Sequence, residues 1–333
     1  MCRYFQADYN ARRGIFDVIH SAITRPTDCN RSPAIKSSSH ASRREFLQNS
    51  LALAAAATVL GSSSLVAAEA KPKLKKAVKY GMIKVPGASI EDKFNLIKSL
   101  GFAGVEFDSP SDIDRQEAVR ARDKTGIKIH GVIDSVHWQI RLSDPDPAVR
   151  AKGVAALRGA IDDAKLYGAD TVLLVPGKVT NKETENYDQC YARSQAEIRK
   201  VIPRATDAGV KIAIEVVWND FITTPEQLVQ YVDDFKTPTV GAYFDCSNML
   251  KYGVPSATWI RKLGPRMLKF DFKGYSHKNQ WVAIGEGDEN WPEVLKALDE
   301  VGFHGWATAE VSGGGEKELR DVAQRMNRVL ELS

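Results

Sequence analysis

The sequence contains few cysteines and few histidines. There are 4 Cys and 6 His among 333 residues, and only Cys190, Cys246 and four of the histidines follow residue 70. A disulfide between these two cysteines is compatible with the sequence, but one pair does not form the disulfide framework of a small secreted domain. The shortage of histidine also argues against a multinuclear metal site built from several histidine ligands.

The part of the chain after residue 70 also lacks a charge imbalance and long apolar runs. Of the 46 Lys+Arg and 42 Asp+Glu, 8 and 5 fall within residues 1–70, which leaves 38 and 37 for residues 71–333. This near neutrality offers no electrostatic argument for nucleic-acid binding. A bilayer span needs about 20 consecutive apolar residues. We therefore expect no stable membrane span in residues 71–333.

Residues 1–70 have the composition of a leader rather than of a folded domain. Residues 1–40 are polar and show no helical or strand periodicity, so we expect disorder there. A twin Arg at 43–44 in SRREFL precedes the apolar run Leu51–Leu60 and small residues up to Ala70. An amphipathic first helix is the alternative, but the pattern favours a twin-arginine export signal cleaved near Ala68 or Ala70. We therefore expect the twin-arginine machinery to export the chain to the periplasm.

From residue 79 onward, short β-rich runs alternate with longer runs of helical spacing. The predicted strands are Lys79–Val85, Gly104–Ser109, Lys128–Ile133, Thr171–Gly177, Lys211–Val217, Val240–Asn248, Met267–Tyr275 and Gly305–Val311. The predicted helices are Ile90–Leu100, Ile113–Lys124, Pro147–Tyr167, Tyr187–Ala208, Pro225–Phe235, Ser256–Leu263, Trp291–Val301 and Glu316–Leu332. Eight βα units predict a (β/α)8 TIM barrel as a single domain over residues 71–333. A doubly wound sheet also alternates, but no G-x-G-x-x-G follows the first strand.

Carboxylates lie near the ends of several predicted strands. The stretch KIAIEVVWN places Glu215 in an otherwise apolar strand, where an unpaired ionised carboxylate is costly. Similar positions on other strands are occupied by Glu106, Asp245, Asp271 and Glu310. Glu215, Asp245, Asp271 and Glu310 come from consecutive strands, so their side chains would lie close together. Carboxylates that lie close together require protonation or a cation. Oxygen ligands favour a divalent metal such as Mg²⁺ or Mn²⁺.

Four motifs make the chain resemble the xylose-isomerase-like TIM-barrel superfamily, which comprises sugar isomerases, epimerases and endonuclease IV. The motifs are LVPG, IAIEVVWN, FDCSN and IGEGDENWPEVLKALDEVGFHGWATAE. The resemblance implies a metal held by Glu215, Asp245, Asp271 and Glu310. It is incomplete, because this chain has Asp271 where the family usually has His, and Asn248 where His is frequent. Lys269 and Lys273 share the face of Asp271 by period two and would offset the surplus negative charge.

The resemblance also implies a chemistry, namely proton abstraction next to a carbonyl. In this interpretation the metal polarises the substrate oxygens, one of Glu215 and Glu310 removes the proton, and the other returns one. Eight residues are candidates for contact with a sugar: Glu106, His130, His137, Trp218, Asn219, Asn248, Lys273 and Glu286. For Glu106 an ion pair with a barrel lysine is an equal alternative, and for Trp218 the alternative is packing.

Four functions are compatible with these features to different degrees. We expect a metal-dependent sugar isomerase or epimerase that acts on a free or oxidised sugar. A lyase on 3-keto-glycosides is the alternative, because elimination starts with the same proton abstraction. A noncatalytic sugar-binding protein is less favoured. An enzyme similar to endonuclease IV is disfavoured by the few histidines and the balanced charge.

Overall fold

Eight parallel strands form a closed barrel in the computed structural model, which describes residues 74–331. The barrel strands are β1 (Lys75–Lys79), β2 (Gly104–Ser109), β3 (Lys128–Asp134), β4 (Thr171–Leu174), β5 (Lys211–Glu215), β6 (Val240–Asp245), β7 (Met267–Phe272) and β10 (Trp306–Ala309). Neighbours in the chain are neighbours in the barrel, and β1 closes the ring against β10. The predicted (β/α)8 barrel is thus confirmed. The predicted leader lies outside the described residues.

Helices follow the strands and cover the outside of the barrel. They are α1 (Ile90–Ser99), α2 (Arg115–Thr125), α3 (Pro147–Tyr167), α4 (Tyr187–Arg199), α5 (Ile202–Ala208), α6 (Pro225–Asp233), α7 (Cys246–Leu250), α8 (Ser256–Leu263), α9 (Trp291–Glu300) and α10 (Glu316–Val329). Capping residues explain several starts: the Ser89 and Thr224 side chains accept hydrogen bonds from backbone amides of the first turn. None of the described helices is long and apolar enough to cross a membrane.

The main hydrophobic core lies between the strands and the helices. Outward-facing strand residues such as Val172 and Phe244 pack there against helix residues such as Leu157 and Trp259, and all four are fully buried. A much smaller apolar cluster, with Leu173 and Ala213, lies separately. Because strand residues alternate in direction, Leu173 and Ala213 face the barrel interior, where charged side chains occupy much of the remaining space. Cys190 and Cys246 are buried and free, so they form no disulfide.

An antiparallel hairpin interrupts the regular alternation after β7. Its strands are β8 (Gly274–Ser276) and β9 (Gln280–Val282), with Tyr275 opposite Trp281. A side chain at Gly274 would collide with the backbone, because its Cβ would lie 2.2 Å from the carbonyl oxygen of Ala283. Glycine therefore permits the close approach that the hairpin requires. The prediction of one strand over Met267–Tyr275 is therefore wrong, because β7 ends at Phe272 and the hairpin begins at Gly274.

Other predicted boundaries are also wrong, among them the end of strand Val240–Asn248, where residues 246–248 belong to α7. The first strand is Lys75–Lys79 rather than Lys79–Val85, because Lys75 to Val78 pair in register with β10. Beyond it the chain turns through Tyr80–Met82, and Ile83 makes only a single bridge to Gly314. The predicted helix Tyr187–Ala208 is two helices, because Pro203 lacks an amide hydrogen and is placed in the first turn of α5.

Two leucines on α3 allow a direct test of the core. Leu157 is fully buried and Leu166 is 39% exposed. We expect Leu157→Ala to lower the free energy of unfolding by about 2–5 kcal/mol, because it removes buried methyl groups and leaves a cavity. Leu166→Ala is the matched control and should change it by less than about 0.5 kcal/mol. Urea denaturation measures both, and equal effects would contradict this location of the core.

Candidate metal centre

Three carboxylates converge at the carboxyl ends of the barrel strands. Glu215 is the last residue of β5, Asp245 is the last residue of β6, and Glu310 follows β10 directly. Each offers a carboxylate oxygen, and these oxygens lie within 4.8 Å of one another. Strand alternation explains the arrangement for β5, where Ala213 and Glu215 face inward while Ile212 and Ile214 pack outward in the main core.

Local structure around Asp245 and Asn248 holds two of these carboxylates in place. Asp245 begins α7, and its Oδ1 accepts a hydrogen bond of 3.1 Å from the amide of Asn248. The side-chain amide of Asn248 donates in turn to Oε1 of Glu215 at 3.3 Å. The other oxygen of Asp245, Oδ2, is buried and lies 3.2 Å from the ammonium of Lys273.

Lys273 provides the positive charge nearest to the group. Its Nζ lies 2.7 Å from Oε2 of Glu310 and 3.2 Å from Oδ2 of Asp245. Burial opposes a charged lysine, but Asp245, Glu310 and Glu215 together outweigh burial and raise the pKa of Lys273 above its usual range. Lys273 is therefore a fixed ammonium group at this end of the barrel.

The two glutamates of the group differ in their affinity for a proton. Burial is the main cause that raises the pKa of Glu215 well above its usual range, and the neighbouring Glu310 adds to it. Burial acts in the same direction on Glu310, but Lys273 and Lys79 outweigh it and hold the pKa of Glu310 below its usual range. Glu310 is thus the carboxylate that stays ionised most readily, and Glu215 is the one that most readily carries a proton.

These residues fit a divalent cation. Three buried or half-buried carboxylates supply only oxygen ligands, and these oxygens lie within 4.8 Å of one another. Hard cations such as Mg²⁺ and Mn²⁺ prefer this ligand set. We therefore consider Glu215, Asp245 and Glu310 the residues able to hold a metal.

Asp271, the fourth ligand in the sequence prediction, lies outside this group. Its carboxylate pairs with Lys79 at 2.6 Å and accepts a hydrogen bond of 2.9 Å from the hydroxyl of Tyr243. The stagger of the barrel explains this position. Asp271 is directly opposite Asp245 on β6, but on the β10 side it is opposite Thr308, two residues before Glu310, so Lys273 and not Asp271 reaches the level of Glu310.

Glu106 and His130 belong to the same inner network as Asp271. Glu106 forms the ion pair with a barrel lysine that was the alternative to substrate contact: Nζ of Lys79 lies 2.5 Å from its carboxylate. The same carboxylate accepts a hydrogen bond from the hydroxyl of Tyr243. His130 stacks on Trp306 with ring centroids 4.3 Å apart. Burial, followed by Lys269, lowers the pKa of His130 well below its usual range. The structure therefore places both residues away from the three carboxylates.

The remaining predicted contact residues divide into two groups. His137 is buried, its pKa falls to about 3 because of burial, and Glu310 opposes this shift through its charge. Trp218 donates from Nε1 to the carbonyl of Asn248 at 2.7 Å, which places it beside the centre. Asn219 instead fastens the loop by donating to the carbonyl of Gly177 at 2.6 Å. Glu286 is exposed and pairs with Arg325 of α10 at 2.9 Å.

Two residues near the centre were missed at the sequence level. Asp108 lies two positions after Glu106 on β2, at the solvent-exposed end of the barrel. The surrounding protein displaces part of its hydration and raises the pKa of Asp108, while Lys79 opposes the shift. Side chains two positions apart on a strand face the same side, so the position of Glu106 could have identified Asp108 in the sequence. Trp281 approaches Lys273 from the hairpin, with 5.0 Å between the ring centroid and Nζ, and no sequence pattern signals that contact.

A closed parallel (β/α)8 barrel with convergent acidic side chains at the carboxyl ends of its strands defines the class of protein. The chain belongs to the xylose isomerase-like TIM barrel family, whose model matches residues 94–329.

Two curated relatives are sugar epimerases. The chain is 27% identical over 258 residues to L-ribulose-5-phosphate 3-epimerase UlaE of Escherichia coli, which covers 71% of this chain and 89% of that protein. It is 26% identical over 220 residues to a ketose 3-epimerase of Arthrobacter globiformis, which covers 62% of this chain and 72% of that protein. These similarities support an enzyme of the isomerase class.

Solved structures agree in fold. A D-tagatose 3-epimerase-like protein superposes with a TM-score of 0.67 at 20% identity, over 78% of this chain and 98% of that one. The IolI protein with a bound zinc atom also gives 0.67, at 16% identity over the same shares. The 3-keto-D-glucoside 4-epimerase YcjR of E. coli gives 0.65 at 14% identity, over 77% and 99%.

The two aspartates of β6 and β7 provide a test of the ligand set. We expect Asp245→Asn to abolish stoichiometric binding of Mn²⁺, because it removes a ligand charge from the centre. Asp271→Asn should still bind about one ion per chain, because the Asp271 carboxylate is engaged by Lys79. Titration calorimetry measures both variants, with thermal unfolding as a check on folding. An equal loss of binding in Asp271→Asn would show that Asp271 is a ligand.

Proposed function

We propose that the chain is a metal-dependent sugar isomerase or epimerase that abstracts a proton next to a carbonyl group. One observation carries this proposal: Glu215 and Glu310 come from two different barrel strands and offer carboxylate oxygens within 4.8 Å of each other. Such a pair provides both an acceptor and a donor of protons. The 3-epimerase activity named for both curated relatives supports the same chemistry.

Glu310 is the proposed proton acceptor. Lys273 lies 2.7 Å from its carboxylate and keeps it ionised, and Glu310 retains 29% exposure of its side chain, so a substrate can reach it. Glu215 is the proposed donor, because it is the other glutamate of the carboxylate group. The two residues come from strands separated by β6 and β7. This separation suits removal of a proton from one face of a sugar carbon and return to the other.

The neighbouring side chains position the substrate in this proposal. A divalent ion, Mn²⁺ or Mg²⁺, would polarise the carbonyl and hydroxyl oxygens of the sugar when bound. His137 is neutral, and its Nδ1 accepts a hydrogen bond of 3.4 Å from the amide of Val175. The ring proton is thus assigned to Nε2, which can donate to a sugar hydroxyl. Asn248 keeps Glu215 oriented.

The proposed substrate is a free or oxidised sugar, and the proposed location is the periplasm. The SRREFL sequence supports recognition by the twin-arginine export machinery. Sugar phosphates are chiefly cytosolic, which favours a free or oxidised sugar for an exported enzyme. A lyase acting on 3-keto-glycosides is the second candidate, because elimination starts with the same proton abstraction and a 3-keto-D-glucoside 4-epimerase shares the fold.

Exchange of a carbon-bound proton tests the chemistry directly. We expect Glu215→Gln and Glu310→Gln each to lower the rate of deuterium incorporation next to the carbonyl by about 100- to 10,000-fold, because each removes a proton-transfer group. Proton NMR in deuterium oxide, with a panel of ketoses and 3-keto-glycosides, measures the rate and also detects a released aglycone. Glu293→Gln, an exposed glutamate of α9, is the control and should exchange normally. Unchanged rates in both site variants would refute the mechanism.

A further inference from the structure

Asp108 lies inside the mouth of the barrel, at the carboxyl end of β2. Val105 and Phe107 are fully buried in the main core between strands and helices, so the alternating residues Glu106 and Asp108 face the interior. Asp108 is opposite Ile133 on β3, and Ile133 packs against the small apolar cluster inside the barrel. Asp108 is therefore on the inner face of the barrel, closer to the mouth than Glu106.

Asp108 also lies close to the candidate metal centre. The centre occupies the ends of consecutive strands from β5 to β10, and β1 alone separates β10 from β2. The charge of Glu310 acts on Asp108 and also on His137, in the loop after β3. Trp138, next to His137, is 42% exposed and meets the His137 ring edge-on. We call Asp108, His137 and Trp138 the β2–β3 side of the mouth.

The carboxylate of Asp108 has no fixed partner among residues 74–331. It accepts no hydrogen bond and forms no ion pair there. Lys79 attracts it, but this ammonium is already paired with Glu106 and Asp271. Asp108 is exposed, and yet the surrounding protein raises its pKa by displacing hydration. A group inside an open cavity shows this combination, whereas a group on a convex surface keeps its hydration.

The charges of the centre balance without Asp108. Glu215, Asp245 and Glu310 carry three negative charges when all are ionised, and a bound divalent ion together with Lys273 would carry three positive ones. Asp108 adds a negative charge that no ammonium or guanidinium of residues 74–331 pairs with. This carboxylate therefore makes the β2–β3 side of the mouth negative where a substrate would enter.

We propose that Asp108 selects uncharged sugars: its carboxylate accepts hydrogen bonds from hydroxyl groups of the substrate and repels sugars that carry a carboxylate or a phosphate. This inference rests on the proposed function and narrows its substrate to a free sugar, or one oxidised to a ketone, without an acidic group. The reacting carbon lies at the carboxylates of the centre. The other hydroxyl groups extend to the β2–β3 side, because Lys273 and Trp281 occupy the β7 side. There Nε2 of His137 donates and Asp108 accepts, which together suit a neutral polyol.

Matched ligands that differ in charge test Asp108. They are D-fructose with D-fructuronate and D-tagatose with D-tagaturonate, and the second member of each pair has a carboxylate at C6. Saturation-transfer proton NMR with the magnesium-loaded full chain measures each dissociation constant. We expect at least one ketose to bind about tenfold more tightly than its acid, and neither acid to bind more tightly than its ketose, because the acids meet the charge of Asp108.

Three variants separate the charge of Asp108 from its shape and from the net charge of the chain. Asp108→Asn should abolish the preference for the ketose, because it removes the charge and keeps the shape, and Asp108→Glu should retain the preference. Asp207→Asn is the matched control. Asp207 is an exposed aspartate of α5, which precedes β5 and so lies at the opposite end of the barrel. This control changes the net charge equally and should keep the preference. Circular dichroism and thermal unfolding verify that each variant is folded.

Each outcome decides between charge selection and the proposed function. Equal affinities in both pairs, a preference for the acid in either pair, no detectable binding of any of the ligands at about 50 mM, or a preference that survives Asp108→Asn would overturn the selection by Asp108. Proton exchange on a ketose together with one of these results would leave the proposed function standing without that selection. A preference that depends on Asp108, in a protein that exchanges no carbon-bound proton in any carbohydrate, would retain the selection and refute the proposed function.

Discussion

The pairing of buried ammonium groups with buried carboxylates is the constraint on which the rest of this structure depends. Lys79 lies between Glu106 and Asp271, and Lys273 lies between Asp245 and Glu310. A carboxylate left without a partner inside a barrel loses several kcal/mol of solvation, so removing either lysine would affect two acidic residues at once. The barrel therefore tolerates an acidic interior only because both lysines are in place.

The two lysines belong to two different groups of charged side chains inside the barrel. At the lower level, Asp271 and Glu106 each have both Lys79 and Tyr243 as partners, and these contacts occupy their oxygen atoms. At the upper level, Lys273 pairs with Asp245 and Glu310, and within residues 74–331 the Glu215 carboxylate accepts its hydrogen bond from the amide of Asn248. Burial raises the pKa of Glu215 well above its usual range. The pKa values of the two glutamates are thus shifted in opposite directions because their partners differ.

The barrel and most of the centre are predictable from the sequence for simple reasons. Parallel strands that alternate with helices produce a strong pattern, and residues at strand ends share one rim in a barrel. Glu215, Asp245 and Glu310 were identified in this way. Asp271 was placed with them because a linear pattern contains no information about the stagger between strands. Glu286 was selected from a motif, although Arg325, 39 positions further along the chain, holds its carboxylate.

The sequence by itself determined which side chains face the inside of the barrel, because alternation along a strand is a local property of the backbone. The tertiary structure decided the height of each side chain in the barrel, and thereby which carboxylates share a cation site and which share a lysine. Strand stagger placed Lys273 level with Glu310 and left Asp271 with Lys79. The hairpin after β7 brought Trp281 to Trp218, 63 positions away in the chain. Such proximity depends on closure of the whole barrel, and no local segment contains it.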